Sequence, residues 1–350
     1  MVIRKSKLFW LMTAIGAVLM VIIALLAMLL LIKPASQTTS PTPTPSGQAS
    51  NNGTGPGSSL NKGTVSSLSG GVVSFQNLKG LTLRINQIDT CAASSIAAYV
   101  SVSAQSGDVN TSFSKKNVKV YLDGQEMNDF EFNAVNTTQA PLANMLAVDV
   151  SGSMSGTAIS NARQAAASYI DRLKPNDQVG LIQFNQTASV RAGLSTNKTA
   201  ARSAATGLVA GGNTAIYDAL NLAITNLPAC GRKAITVLTD GEDTASKSTL
   251  ASVKDAAAKA NLPIFAVGIK GTGFNPATIN ALASGTGGQY LEANTPGEIS
   301  SLYQKIDSQL TGQFEANLKV PAAKNGAVHT LKIVSTIEGS DTSSERAFVF

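Results

Sequence analysis

Apolar runs of strand length alternate with amphipathic segments between residues 143 and 310. Short uncharged runs bounded by turn residues are typical of buried strands, and longer segments with apolar residues at helical spacing are typical of helices that cover a sheet. Strands alternating with helices favour an α/β fold with a doubly wound, mostly parallel sheet and right-handed crossovers. The predicted strands are 143–150, 179–184, 189–194, 233–239, 263–269 and 289–292, and the predicted helices are 157–173, 198–209, 216–227, 250–260, 277–283 and 299–310.

The segments on either side of this region follow a different pattern, in which apolar and polar residues alternate. Residues 65–142 contain such segments at 81–85, 98–103 and 118–122, and Asp123-Gly124 after the last is a hairpin signal. Residues 311–350 contain further β-like segments, with Asn325-Gly326 as a turn between two of them. Neither part has many strands, so the simplest prediction is one small β-sandwich built from both, with the α/β region inserted between them. Two separate small β units are the alternative.

The N-terminal segment predicts a membrane anchor. Residues 8–32 carry no charge, and Arg4, Lys5 and Lys7 precede them. An apolar run of this length can cross a bilayer as a helix, and the preceding positive charges place the N-terminus in the cytoplasm. Residues 1–33 are therefore expected to be a cytoplasmic tip and a single transmembrane helix, with all later residues outside the cytoplasm. A cleaved signal peptide is the competing interpretation, although no small-x-small cleavage site stands before Lys33-Pro34.

Residues 34–64 are rich in Thr, Pro, Ser, Gly and Asn. Such a composition cannot bury a core, and its Thr-Pro repeats favour extended polyproline conformation. We expect a stalk that holds the folded part away from the membrane.

The overall charge does not indicate a nucleic-acid partner. The 350-residue chain has a formal net charge of +6, and part of the excess belongs to the N-terminal segment. The remaining Lys and Arg residues are scattered rather than grouped along one face, which leaves no basic footprint for nucleic acid.

Polar side chains follow two of the predicted strands. Asp149, Ser151 and Ser153 come at alternate positions after the first strand, and Asp240 ends the strand 233–239. Thr214 lies on a Gly-rich loop at the start of a helix. Carboxylate and hydroxyl oxygens suit a hard cation such as Mg2+, and ligands bind doubly wound sheets at the carboxyl ends of the strands. Taken alone, the Asp-x-Ser-x-Ser segment could equally cap the helix that begins near Thr157.

The three motifs together resemble the metal-ion-dependent adhesion site of von Willebrand factor type A domains, and the resemblance covers about residues 143–310. It implies that Ser151, Ser153 and Thr214 are hydroxyl ligands, and that Asp149 and Asp240 hold the metal largely through water. It implies Mg2+, with Mn2+ or Ca2+ as alternatives, and a partner that presents an Asp or Glu. Segment 118–123 and the later 329–332 bear a weaker resemblance to the immunoglobulin-like frame that flanks this domain in some bacterial surface proteins.

Catalytic alternatives have little support. His329 is the only histidine and lies far along the chain in a β segment, so neither a Ser-His-acid set nor a zinc site can be built around it. The Gly285–Gly288 stretch lacks the lysine of a phosphate-binding loop. Glu242 and Asp243 are interpreted as a solvated acidic loop, and Asp218 as a structural residue near the Thr214 turn. The protein is not expected to be an enzyme.

Cys91 and Cys230 are the only cysteines in the chain. Outside the cytoplasm the pair could be oxidised, and a disulfide would join the β region to the loop that enters the Asp240 strand. Two free or buried thiols are the alternative.

The expected function is recognition of a protein partner by a membrane-anchored, extracytoplasmic binding or adhesion module, in which a divalent metal binds an acidic group of that partner. The rival hypothesis is a non-adhesive subunit or assembly factor of a membrane complex, which uses the same domain to contact a neighbouring subunit.

Overall fold

The computed structural model describes residues 73–78, 81–104, 114–271, 274–320, 326–337 and 340–350. The predicted anchor and stalk lie outside these residues, as does Asn325 of the predicted turn. Among the residues described, no helix is long and apolar enough to cross a membrane. The described residues all belong to one compact unit.

The α/β region has a six-stranded sheet in which every neighbouring pair is parallel except the pair at one edge. Its strand order is β12-β11-β10-β7-β8-β9. The strands are β7 (Ala143–Asp149), β8 (Gln178–Phe184), β9 (Ala188–Ser195), β10 (Lys233–Thr239), β11 (Ile264–Ile269) and β12 (Tyr290–Ala293). Strands β7, β10 and β11 are buried along their whole length, because helices cover both faces of the sheet.

Six helices form the two covering layers. They are α1 (Thr157–Arg172), α2 (Thr199–Thr206), α3 (Ile216–Asn226), α4 (Leu250–Lys259), α5 (Ala277–Gly285) and α6 (Ile299–Thr311). Helices α1, α2 and α6 share one apolar core with the sheet, and α3, α4 and α5 share the core on the opposite face. The predicted mostly parallel α/β sheet is therefore present.

The strand order reverses beside β7. The chain continues from β7 to β8 on one side, whereas β10 pairs with β7 on the other side. The carboxyl ends of β7 and β10 consequently flank a crevice at a topological switch point, where sheets of this kind bind ligands. Asp149 is the last residue of β7, and Asp240 directly follows β10.

A second sheet of nine strands draws on both flanks of the α/β region, in the order β5-β4-β14-β15-β1-β2-β3-β13-β6. Its strands are β1 (Val73–Leu78), β2 (Leu81–Asp89), β3 (Ser95–Ala104), β4 (Val118–Leu122), β5 (Gln125–Met127), β6 (Phe130–Ala134), β13 (Phe314–Lys319), β14 (Val328–Ile337) and β15 (Ser340–Val349). Side chains from both halves of this sheet pack into one core, so the sheet folds over on itself. Strand β1 joins the halves, because its first residues pair with β15 and its last two pair with β2.

The two sheets meet at the amino ends of the parallel strands. The Asn86 side chain donates to the Gly287 carbonyl over 2.8 Å, and the backbone N–H of Lys233 donates to Gln87 Oε1 over 2.9 Å. Cys91 and Cys230 form a disulfide across the same junction. The crevice at the carboxyl ends of β7 and β10 is at the other end of the sheet and is free of these contacts.

Candidate metal centre

Asp149 is the fixed point of the site. Its side chain is fully buried at the end of β7, where a continuous apolar run leads the strand through the core. Its Oδ1 atom accepts a hydrogen bond from the backbone N–H of Ser151 over 2.8 Å, and its Oδ2 atom accepts one from the Thr239 hydroxyl over 2.6 Å. These two bonds set the orientation of the carboxylate and hold the loop after β7 against the end of β10.

The two serines connect Asp149 to Asp240. The hydroxyls of Ser151 and Ser153 are 3.0 Å apart, and the Ser153 hydroxyl donates to Asp240 Oδ1 over 2.7 Å. A single helical turn, Gly152–Met154, curls the loop, and the buried Met154 side chain pins that turn to the core. Four oxygen-bearing side chains therefore lie together: Asp149 at the end of β7, Ser151 and Ser153 on the loop after it, and Asp240 directly after β10.

Thr214 approaches the same place from the loop before α3. Its N–H donates to Thr244 Oγ1 over 3.1 Å, and its carbonyl accepts from the N–H of Thr244 over 2.8 Å. A Cβ atom added at Gly241 would lie 3.7 Å from the Thr214 hydroxyl, so this hydroxyl adjoins the residue after Asp240. All five residues that the sequence predicts for the site therefore lie at the crevice, four of them in one hydrogen-bonded chain.

Backbone contacts hold the three loops in register. The N–H of Gly152 donates to the Gly212 carbonyl over 2.8 Å, and the Asn185 side chain donates to the Gly211 carbonyl over 2.8 Å. Gly212 adopts a φ of 91°, a conformation that favours glycine. The Gly-rich loop can therefore pass close to the serine loop without a side chain between them.

The two carboxylates are withdrawn from solvent to different extents: Asp149 is fully buried and Asp240 is half-buried. Burial raises the pKa of Asp149 to about 6, against the lowering effect of the hydrogen bonds from Thr239 and Ser151 and with a small contribution from the charge of Asp240. Burial also raises the pKa of Asp240, against the hydrogen bond from Ser153. Within the described ranges, neither acid forms an ion pair with Lys, Arg or His. A bound cation would offset this desolvation cost.

The donor set fits a hard divalent cation. Two carboxylates and three hydroxyls offer only oxygen, which is the ligand preference of Mg2+, Mn2+ and Ca2+, and two negative charges match a divalent ion. No cluster of three or more His, Cys, Asp or Glu occurs in the part of the chain that the structure describes, so there is no competing centre of that composition there.

Four other residues considered in the sequence analysis lie outside this hydrogen-bonded chain. Asp218 accepts from the N–H groups of Lys247 and Ser248, over 3.0 and 2.8 Å, which ties the loop after β10 to α3. Asp243 is half-buried and accepts a hydrogen bond from the Ser246 hydroxyl over 2.5 Å, which a purely solvated loop residue would not do. Glu242 is exposed, as the interpretation as a solvated loop implies. His329 lies on β14, with its Nδ1 atom 2.7 Å from Asp123 Oδ2.

Sequence reasoning missed the residues that support the site. Thr239, Asn185 and Thr244 all hold site residues in place, but each looked like an ordinary strand or loop residue. The one available signal was position, because Thr239 directly precedes Asp240 at the end of a predicted strand.

Comparison with known proteins identifies the α/β region. A model of the von Willebrand factor type A domain family matches residues 145–305. Human inter-alpha-trypsin inhibitor heavy chain H4 is 29% identical over 193 residues, which are 49% of this chain and 21% of the relative. The chain thus spans about a fifth of the length of the curated relative it matches.

Two solved structures match this chain over part of its length. A von Willebrand factor type A protein from Catenulispora acidiphila is 14% identical with a TM-score of 0.45, over 79% of this chain and 73% of the other. Proximal thread matrix protein 1 from the mussel byssus, described as having a zinc-occupied MIDAS motif, is 18% identical with a TM-score of 0.46, over 54% of this chain and 50% of the other.

Proposed function

Because residues 145–305 form a von Willebrand factor type A domain, we propose that this chain is a binding protein that recognises an acidic group of a partner protein through a divalent metal. The carrying observation is the hydrogen-bonded chain Asp149–Ser151–Ser153–Asp240 at the switch point of the sheet. Its two carboxylates have raised pKa values and no cationic partner among the described residues. We propose Mg2+ as the metal, with Mn2+ or Ca2+ as alternatives.

The five site residues would contribute different ligands to the cation. Asp149 and Asp240 supply the negative charge, and the hydroxyls of Ser151, Ser153 and Thr214 supply neutral oxygens. When bound, the cation would supply an open coordination position for a carboxylate of the partner. Ser153 is exposed whereas Asp149 and Ser151 are buried, so the centre faces the solvent on the side of Ser153. We propose binding rather than catalysis as the role of this arrangement.

We further propose that residues 8–32 anchor the chain in the plasma membrane and that residues 34–64 present the domains outside the cytoplasm. The supporting observation from the described residues is the Cys91–Cys230 disulfide, since structural disulfides form and persist in oxidising compartments.

The test is a pull-down from solubilised cell envelope and from the surrounding medium, with the full chain as bait, in Mg2+ and in EDTA. Ser153→Ala removes one exposed oxygen of the centre, and Ser155→Ala is the matched control because Ser155 is exposed on the same loop and outside the hydrogen-bonded chain. We expect EDTA, Ser153→Ala and Asp149→Ala to release the partner and Ser155→Ala to retain it.

Partners retained in EDTA and by both site variants would overturn the proposal. The nature of the partner separates adhesion from the rival hypothesis. A soluble ligand that washing with EDTA removes indicates adhesion, whereas co-purification of other membrane proteins indicates a subunit of an assembly.

A further inference from the structure

A small cavity lies directly beside the candidate metal centre. It is an open cavity bounded by the loop after β10, the start of α3, and α5 with the segment that leads into it, and its volume is about 80 Å3. Tyr217, Phe274 and Ile279 supply apolar walls, and Gly241 forms the side towards the centre. Since Gly241 follows Asp240 and adjoins the Thr214 hydroxyl, a partner bound at the centre would pass over the mouth of this cavity.

The size of the cavity limits what it can take. Pockets for drug-sized small molecules span roughly 300–1,000 Å3, and an apolar cavity that binds benzene has a volume of about 150 Å3. The cavity of 80 Å3 is therefore too small for a cofactor or an aromatic ring. It matches the stem of one unbranched aliphatic side chain.

The rim of the cavity is acidic. Glu242 and Asp243 both line it, and Glu242 is exposed with no ion pair within the described residues. The N–H of Tyr217 donates to Asp243 Oδ1 over 3.3 Å. Burial raises the pKa of the Tyr217 phenol, and the charges of Asp243 and Glu242 raise it further.

The charges of the rim remain after the centre is balanced. A divalent cation would neutralise Asp149 and Asp240, whereas Glu242 and Asp243 would keep two negative charges over an apolar cavity. A side chain with an aliphatic stem and a cationic tip complements both features, because the stem leaves water and the ammonium group meets the carboxylates.

We propose that this cavity is a specificity pocket for a lysine side chain on the partner, close to the acidic residue that the metal centre binds. The inference rests on the proposed function and deepens it: the recognised segment pairs an Asp or Glu with a nearby Lys. Glu242 is the residue that selects the charge, and Phe274 and Ile279 select the aliphatic stem.

The experiment measures binding of synthetic peptides to the full chain in Mg2+ and in EDTA. Three peptide sets carry one Asp and, one to three positions away, Lys, norleucine or Glu. We expect the best Asp–Lys peptide to bind about three- to tenfold more tightly than its norleucine counterpart, and the Glu counterpart to bind most weakly. The preference for Lys over norleucine should shrink as salt is added.

Two variants locate the preference. Glu242→Gln should reduce the ratio of the Lys and norleucine affinities towards one. Glu131→Gln removes the same charge from an exposed position on β6 and should leave the ratio unchanged. Mg2+-dependent binding with no preference for Lys would overturn the specificity pocket and leave the proposed function standing. Failure of every peptide to bind in a Mg2+-dependent way would overturn both.

A second measurement does not depend on the metal. Tyr217 is one of six tyrosines, so the chain labelled with 15N-tyrosine has few amide signals. Nα-acetyl-lysine amide carries the lysine side chain with its free ammonium group and has no carboxylate. It should shift the amide signal of Tyr217 in EDTA, because that N–H donates to Asp243. An unchanged Tyr217 signal at concentrations of the lysine compound well above the dissociation constants of the peptides would contradict occupation of the pocket by lysine.

Discussion

Asp149 meets two opposed requirements. A carboxylate at the end of a fully buried strand is costly to desolvate, and its pKa of about 6 records that cost. In the same buried position, hydrogen bonds hold both carboxylate oxygens of Asp149 in a fixed orientation, ready to bind a cation. The metal-free protein should therefore be less stable than a protein with a neutral residue at this position.

Asp149→Asn should stabilise the metal-free chain at pH 7 by about 2 to 3 kcal/mol. Because the folded-state pKa lies above the unfolded value, the unfolded chain releases its proton first, and the stability contribution falls as the pH rises from about 4 to about 6. The amide can still accept from the Ser151 N–H. Denaturant unfolding in EDTA at several pH values measures the difference, which should vanish below about pH 4. An Asn variant less stable than the parent at pH 7 would contradict this.

Ser153→Ala should weaken Mg2+ binding by about tenfold, because the centre loses an oxygen and Asp240 loses its hydrogen bond. Isothermal titration with Mg2+ measures the change, and Ser155→Ala should retain the parent affinity. Since Ser153 is exposed, the variant should stay folded in EDTA, with an unfolding midpoint lowered only by the loss of the hydrogen bond to Asp240. Equal affinities of the two variants would show that Ser153 does not contribute to the centre.

The candidate site residues could be identified from the sequence because acids end two buried strands and hydroxyls follow at fixed spacing. The residues that hold them in place could not be identified from the sequence. The bond from Thr239 to Asp149 joins strands that are 90 residues apart, and whether a threonine hydroxyl turns towards a neighbouring strand depends on the register of the pairing. The hold of Thr244 on Thr214 depends in the same way on how two loops pack.

At the scale of elements, the turn between α5 and β12 is one of the places where the α/β region contacts the nine-stranded sheet. Arg346 of β15 donates to the Thr286 carbonyl over 2.9 Å, and the Asn86 side chain donates to the Gly287 carbonyl. Gly287 has a φ of 88°, and a Cβ atom there would collide with Arg346 and with the Asn86 backbone. Only glycine allows this turn to approach so closely.

Gly287→Ala should therefore lower the free energy of unfolding by about 2 to 4 kcal/mol, from backbone strain and displaced hydrogen bonds. Gly193→Ala is the matched control, because Gly193 is exposed, has no positive φ and would place its Cβ in open space. Denaturant unfolding of both variants tests this. Similar stabilities would mean that the turn relaxes without cost.

The central strands β7, β10 and β11 were predictable because each contains a continuous apolar run, and the helices of the α/β region because each has an apolar face. Strands β5 and β6 were not predicted, since β5 has three residues and β6 alternates only Phe130 and Phe132 with polar residues. Their extended conformation comes from pairing with β4 and β13, which the local sequence does not show.

For the whole molecule, the Cys91–Cys230 disulfide closes a loop of 139 residues in sequence. Reduction, or replacement of both residues by serine, should destabilise the chain by about 3 to 5 kcal/mol, because the unfolded chain gains conformational freedom. Thermal unfolding with and without dithiothreitol measures this. The double-serine variant should show no response to the reductant, and a parent chain equally stable in both conditions would contradict the prediction.

The chain enters and leaves the α/β domain at one end of it. Strand β6 precedes β7, α6 runs into β13, and β6 and β13 are hydrogen-bonded neighbours with Ala134 opposite Phe314. The candidate metal centre lies at the far end. A pull exerted by a bound partner would therefore reach the nine-stranded sheet through two adjacent strands, with the disulfide as a third covalent tether. Strand β13 would be drawn along its own axis against six residue pairs with β3, so these bonds would resist in shear together instead of opening one after another.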